Sequence, residues 1–171
     1  MNVFTIQKVS AGWNHLVSSY KWPSKNISYD FKMGGGLDVN DPALIKSAAS
    51  KWNNVSGINL NYSGFSGNNI WEENIDSLGR TTVSPVSGTK QISKVNMIID
   101  SRSDWQIGGS SIPSTKYDYY TVVLHEFGHW FMLNDDSSHN SVVMNGTLDK
   151  GKARQNLQAE DIEAAVYIYG K

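Results

Sequence analysis

The stretch VVLHEFGHWFMLNDD, from Val122 to Asp136, decides the fold of this chain. It contains the pattern His-Glu-x-x-His, in which His125 and His129 stand four positions apart. Residues at this spacing lie on one face of an α-helix, so both imidazoles can point at one metal ion. The surrounding segment, residues 117–133, is apolar on most sides and predicts a buried helix. The sequence therefore predicts a metal site on a helix.

Glu126 follows His125 directly and is the residue type that such a site needs as a proton acceptor. Zinc would lower the pKa of a water molecule and polarise a carbonyl, and Glu126 would move the proton to the leaving amine. The alternative is a helix with two unrelated histidines. Only four histidines are present, so this pattern would rarely arise by chance, and the alternative is disfavoured. Gly128 costs about 1 kcal/mol against alanine in a helix and predicts close approach of another backbone or strand.

A third metal ligand must follow the helix, because two histidines do not hold a catalytic zinc alone. The candidates are Asp135, Asp136 and His139. Asp135 stands where the extended motif HExxHxxGxxH has its last histidine, and a carboxylate oxygen is an ordinary zinc ligand. His139 needs a longer loop, and Asp136 breaks the offset from the first two ligands. We favour Asp135, with the other two left open.

Composition limits the remaining function classes. The chain has 171 residues, a net charge of −1, 18% charged and 39% hydrophobic residues, which predicts one soluble domain with a proper core. There is no basic block and no long apolar run, so neither nucleic acid nor a membrane is an expected partner. The N-terminus lacks the shape of a signal peptide. The absence of cysteine excludes disulfides, thiolate ligands and thiol catalysis.

The hydrophobic pattern outlines an α+β domain. Residues 26–33 and 58–63 alternate as strands, residues 68–75 form a third, residues 94–100 an interior strand, and residues 78–85 an edge strand ending in proline. A first helix follows its N-cap Asp41 and ends near Gly57. Residues 101–115 predict a loop, and residues 157–170 a final helix with acids in its first turn.

These segments together resemble the catalytic domain of a matrixin-type metzincin peptidase. The resemblance extends over nearly the whole chain, through WPSKNISYDF, ALIKSAASKWNNVSGINLNY, LGRTTVSP, KVNMIID, YDYYTVVLHEFGHW, SVVMNG and LQAEDIEAAVYIYG. It implies a zincin-like fold, with a twisted mixed five-stranded sheet, an active-site helix and a C-terminal helix. It also implies a single domain, residues 1–171, with a sheet subdomain of about 1–132 and a C-terminal subdomain of about 133–171.

The resemblance implies roles for particular residues. The chain would be a zinc-dependent endopeptidase with Glu126 as general base and one catalytic zinc on His125, His129 and Asp135. Met144 would lie beneath the zinc in a methionine turn, although an ordinary core methionine is the simpler interpretation without the motif.

Three further elements would surround this centre. Asp161 would tie the last helix to the methionine turn. A peptide would bind along the edge strand, at Leu78, Gly79, Arg80 and Thr81. The segment NGTLDKGKARQ, residues 145–155, would line the mouth of the pocket, and Tyr119 and Tyr120 are expected in the core.

Three positions depart from the family pattern. Met132 stands at the family's glycine, where the turn often needs a positive φ, so strain or a different turn is expected. Asp135 replaces the usual histidine, as in a minority of metzincins. The segment from Asp135 to Met144 is also slightly longer than the family pattern.

Other cations are a separate question. No histidine lies between Leu16 and Leu124, so we expect no second, structural zinc of the kind that vertebrate members carry. Calcium could bind oxygens of Asp38, Asn40 and Asp41, or of Asp100 and Asp104, although caps and turns are the simpler roles.

We expect a secreted monomer acting on peptides or proteins. Two alternatives stay open: a catalytically silent binding domain, which would not need Glu126, and a zinc hydrolase acting on other substrates.

Overall fold

The computed structural model describes residues 6–7, 17–32 and 41–171. Within these ranges the chain forms nine strands and three helices. The strands are β1 (Ile6–Gln7), β2 (Val17–Ser18), β3 (Asn26–Phe31), β4 (Asn59–Tyr62), β5 (Asn69–Glu73), β6 (Gly79–Pro85), β7 (Ile92–Asp100), β8 (Trp105–Gln106) and β9 (Tyr117–Asp118). The helices are α1 (Pro42–Asn53), α2 (Tyr119–Trp130) and α3 (Ala159–Tyr169).

Five strands form the main sheet in the order β4-β3-β5-β7-β6. Neighbours among β4, β3, β5 and β7 are parallel, whereas β6 pairs with β7 in the antiparallel direction. The predicted α+β class and mixed five-stranded sheet are therefore confirmed. Among the described strands only β7 pairs with β6, so one edge of β6 has no strand beside it.

The first helix packs its apolar side on the second. Asp41 caps α1 by accepting a hydrogen bond from the backbone N–H of Leu44, and Pro42 occupies the first helical position, as predicted. Trp52 is fully buried, and its indole N–H donates to the carbonyl of Leu124 in α2 at 2.8 Å. Because this bond lies inside the core, it fixes α2 against α1.

Several predicted boundaries were too long. The helix predicted for residues 117–133 spans only Tyr119–Trp130, because Tyr117 and Asp118 pair with β8 and the carboxylate of Asp118 caps α2. The segment predicted as loop, residues 101–115, contains β8. The strand predicted for residues 26–33 is β3, which ends at Phe31, and Met33 lies outside the described residues.

The third helix begins in a capping box. Gln158 is its N-cap, and its backbone N–H donates to Asp161 Oδ2 at 2.8 Å. This hydrogen bond satisfies an N–H group that would otherwise lack a partner. The helix spans Ala159–Tyr169, slightly less than predicted. No helix in the described ranges is long and apolar enough to cross a membrane.

Candidate metal centre and substrate cleft

The two histidines of α2 are oriented by backbone carbonyls. Nδ1 of His125 is 2.9 Å from the carbonyl oxygen of Val143, and Nδ1 of His129 is 2.8 Å from that of Leu133. A carbonyl can only accept, so each Nδ1 carries the proton when these bonds form. Each neutral ring then presents the lone pair of Nε2 to the cleft, as a metal ligand requires.

Asp135 faces both Nε2 atoms. Its Oδ1 lies 3.1 Å from Nε2 of His125 and 3.4 Å from Nε2 of His129. Zinc bonds of about 2.0–2.2 Å in a tetrahedron place neighbouring ligand atoms about 3.3–3.5 Å apart. The donor types therefore fit one zinc ion, and the distances from Asp135 to the two nitrogens are close to the spacing that zinc needs. Gly146 packs against this carboxylate, since a Cβ there would lie 3.1 Å from Cγ of Asp135.

The chain returns to the site through a strained turn after α2. Among the described residues, Met132 is the one non-glycine residue with a positive φ, at 62°. The N–H of Met132 donates to the carbonyl of His129, and the N–H of Leu133 to that of Gly128. These two bonds make a Schellman motif, which normally has glycine in the left-handed position. The sequence predicted this strain from the missing glycine, and the side chain of Met132 is buried.

Glu126 lies beside the two histidines, with ligand atoms of all three residues within 4.8 Å of one another. It is only 4% exposed. The hydroxyl of Thr81 donates to its Oε2 at 2.6 Å, so β6 touches the carboxylate directly. The absence of a side chain at Gly79 allows β6 to lie this close to Glu126, because a Cβ there would be 2.5 Å from its Oε1. No sequence pattern indicated the contact with Thr81.

Met144 lies under the helix against Gly128. A Cβ on Gly128 would be 2.1 Å from the sulfur of Met144 and 3.0 Å from Cζ2 of Trp52. Side chains therefore use the space at this glycine, rather than the backbone or strand that the sequence suggested. Asp161 Oδ1 accepts the N–H of Met144 at 3.1 Å, and its Oδ2 accepts the N–H of Val143 at 3.0 Å. These are the bonds expected between the last helix and the methionine turn.

The other two ligand candidates bind each other. Asp136 is buried, and its Oδ2 lies 2.8 Å from Nδ1 of His139. Its Oδ1 accepts the N–H of Ser138, and its own N–H donates to the carbonyl of Met144. The structure therefore brings neither Asp136 nor His139 to the two Nε2 atoms, whereas it does bring Asp135.

Asp135 and His129 shift one another's pKa values, and each shift favours the charged form of the group. Hydrogen bonds with His125 and His129 hold the pKa of Asp135 well below its usual range. Burial alone would lower the pKa of His129, but Asp135, Glu126 and the Leu133 carbonyl outweigh it and raise the pKa to about 8. The metal-free centre thus holds a proton where a cation would bind.

The centre lies on the floor of a cleft of about 530 Å³. One side is β6 with the residue before it, and the other side is the segment after Met144. The predicted edge residues and part of the predicted mouth line it: Leu78, Gly79, Arg80, Thr81, Asn145, Gly146, Thr147, Leu148 and Arg154.

Arg154 ties down the segment opposite β6. Its guanidinium donates to the carbonyls of Asn140, Asn145 and Thr147. Burial lowers its pKa, although Asp149 and Asp161 act in the opposite direction. Sequence reasoning placed residues 145–155 at the mouth but did not identify this role. A single arginine in a polar loop gives no pattern from which it could be found.

A family model for the matrixin peptidases matches residues 53–170. The chain belongs to the matrixin family. This matrixin is also similar to metalloendoproteinase 2-MMP of Arabidopsis thaliana, with 25% identity over an alignment 171 positions long, which covers 88% of the chain. The same match covers 43% of the relative, so the matrixin spans less than half of that protein's length.

The family match confirms the resemblance to matrixin peptidases and the metzincin fold expected from the sequence. Tyr119 and Tyr120 are buried in the matrixin core, as predicted. Three of the acids considered for calcium have protein partners: Asp41 caps α1, Asp100 accepts from Ser103, and Asp104 pairs with Lys150. Asp38 and Asn40 lie outside the described residues, so calcium there stays an untested alternative to the simpler cap and turn roles.

Proposed function

We propose that this matrixin is a zinc-dependent endopeptidase, with one zinc on His125, His129 and Asp135. The observation that carries the proposal is the convergence of their three donor atoms, at 3.1 and 3.4 Å, beside the carboxylate of Glu126. When bound, zinc supplies a Lewis acid that polarises the scissile carbonyl and makes water more acidic.

Glu126 is the general base in this proposal. Its carboxylate accepts a proton from the attacking water and delivers it to the nitrogen of the leaving amine. When both imidazoles serve as neutral metal ligands, their Nδ1 protons are held by the carbonyls of Val143 and Leu133 and do not compete for Glu126. Burial of Glu126 keeps bulk water from competing for the same proton.

The substrate is an extended peptide that adds a strand to β6, at Leu78–Thr81. Among the described strands β6 has β7 on one side only, which supports this mode, since backbone groups on its other edge can pair with a peptide along the cleft. Such binding reads the backbone, and the segment held by Arg154 limits the side chain that enters beside the zinc. Membership of the matrixin family supports a place of action outside the cell, and we expect the enzyme to act as a monomer.

Cleavage of an unfolded protein by zinc-loaded wild type tests the proposal, with Glu126→Ala beside it and zinc content measured in both. We expect one zinc in each and cleavage by the wild type alone. If both hold zinc and neither cuts a panel of unfolded proteins, the chain is a zinc-binding module and the proposal is wrong. If both cut equally, the role of Glu126 is wrong.

A further inference from the structure

We propose that Thr81 is a positioning residue that holds the carboxylate of Glu126 for proton transfer. The inference rests on the proposed role of Glu126 as general base. In the proposed function, Thr81 binds the peptide through its backbone. The inference adds a separate role for its side chain.

The hydrogen bond has a defined direction. Oγ1 of Thr81 is 2.6 Å from Oε2 of Glu126 and 3.2 Å from the backbone oxygen of the same residue. An ionised carboxylate can only accept, so the single hydroxyl proton of Thr81 goes to the glutamate. The carboxylate oxygen is the closer acceptor, and a bond to a charged group is the stronger of the two.

Strand alternation aims Thr81 at the helix. Along β6, Gly79, Thr81 and Val83 are partly buried, whereas Arg80 and Thr82 are exposed. Two consecutive inward positions therefore meet one carboxylate: Thr81 donates to Oε2, and Gly79 leaves just enough space for Oε1. The branched side chain of threonine has few rotamers, so its hydroxyl is a stiff anchor.

The hydrogen bond from Thr81 gives the two carboxylate oxygens of Glu126 different roles. Thr81 occupies Oε2, which leaves Oε1 to accept the proton of the attacking water. A general base must lie within hydrogen-bond reach of that proton, and small displacements cost rate steeply. Without the hydroxyl of Thr81, the carboxylate of Glu126 loses the hydrogen bond that fixes Oε2, so kcat falls while substrate binding is retained.

Three variants test the role in the zinc-loaded protein with one peptide substrate. Thr81→Val removes the hydroxyl and keeps the shape, Thr81→Ser keeps the hydroxyl, and Thr82→Val makes the same change at an exposed position outside the proposed site. We expect Thr81→Val to lower kcat by about tenfold or more, the worth of a hydrogen bond to a charged group. KM should change less than about twofold, and zinc content should be unchanged.

The conservative variants complete the expectation. Thr81→Ser should restore kcat to within about threefold of wild type, and Thr82→Val should match wild type. If Thr81→Val keeps the wild-type kcat, or changes KM or zinc content instead, the positioning role is wrong although the peptidase proposal stands. If the wild type itself does not cut, the peptidase proposal fails and the positioning role fails with it.

A readout without zinc or turnover checks the contact separately. Chemical denaturation of the metal-free protein gives the unfolding equilibrium constants of Thr81→Val, Glu126→Ala and the double variant. The two single effects should be coupled by a factor of about three or more, while Thr82→Val and Glu126→Ala should be additive. Additive effects of Thr81→Val and Glu126→Ala would show that the hydrogen bond is absent and overturn the inference.

Discussion

The sulfur of Met144 occupies the space beside Gly128 that a side chain would need, since a Cβ there would lie 2.1 Å away. Alanine at a helical position is ordinarily favoured over glycine, by about 1 kcal/mol. Here the clash reverses the sign, because overpacking a buried site costs about 1–3 kcal/mol.

We therefore expect Gly128→Ala to lower the free energy of unfolding and to weaken zinc binding, since His125 and His129 flank this contact. Chemical denaturation and zinc titration measure the two effects. A second substitution, Met144→Ala, should make Gly128→Ala less harmful than it is alone. Purely additive losses would mean that the two residues do not compete for space.

Met132 allows a test of strain against burial. Met132→Ala removes buried contacts worth about 2–5 kcal/mol and leaves the positive φ in place. Met132→Gly removes the same contacts but relieves about 1 kcal/mol of left-handed strain. Burial is the larger effect, so both variants should be less stable than wild type.

The order of these two variants is the informative result. Glycine should be more stable than alanine at position 132, as measured by denaturation. At Leu124, buried in the middle of α2, the order should be reversed because glycine is the poorer helix former. If alanine is the better residue at both positions, the left-handed turn is not a source of strain.

Asp135→Ala should lose most of the bound zinc, because two imidazoles alone leave the tetrahedron incomplete. His139→Ala should keep it, since His139 is paired with Asp136 and does not face the centre. Metal analysis after dialysis against a weak chelator measures both. Retention of zinc by Asp135→Ala, with loss in His139→Ala, would assign the third ligand to His139.

Protons and zinc compete for His129. In the metal-free protein its pKa is raised to about 8, and the ligand form is the neutral ring. Zinc affinity should therefore rise with pH, by about tenfold per unit up to about pH 8, and then change less steeply. Titrations in a series of buffers would show this as protons released on binding. An affinity that is flat from pH 6 to 8 would contradict the raised pKa.

The same pKa has the opposite effect on the stability of the metal-free protein. The folded value of about 8 lies above the value of about 6.5 for an unfolded histidine, so the folded state binds the proton more tightly. This contribution is complete below pH 6.5 and is lost as the pH rises through 8. Asp135→Asn should bring the imidazole pKa, followed by NMR, back towards 6.5.

Local sequence patterns predicted most of the helices and strands and several residues of the candidate site. The helix that carries His125 and His129 and the paired strands follow from periods of 3.6 and 2 residues. Asp135 follows from an offset in one motif, and the turn at Met132 from a missing glycine. Each of these signals lies within a short stretch of chain, where spacing alone determines geometry.

The contacts that could not be predicted join distant parts of the chain. Thr81 and Glu126 are 45 residues apart, and their meeting depends on how β6 crosses α2. The start of α2 was placed too early because Tyr117 and Asp118 look helical alone, whereas pairing with β8 makes them extended. Tertiary contacts override local preference in both cases.

Within the described ranges one edge of β6 has no strand beside it, and this has a consequence for which proteins the proposed peptidase can cut. Only a chain segment whose own backbone groups are unsatisfied can pair with that edge, and segments inside folded sheets and helices already have partners. Proline in the segment would remove an N–H that the pairing needs. In the proposed mode of binding, the cleft selects the backbone conformation of its target before the side chains, and we expect loss of structure in a protein to be the event that exposes it to cleavage.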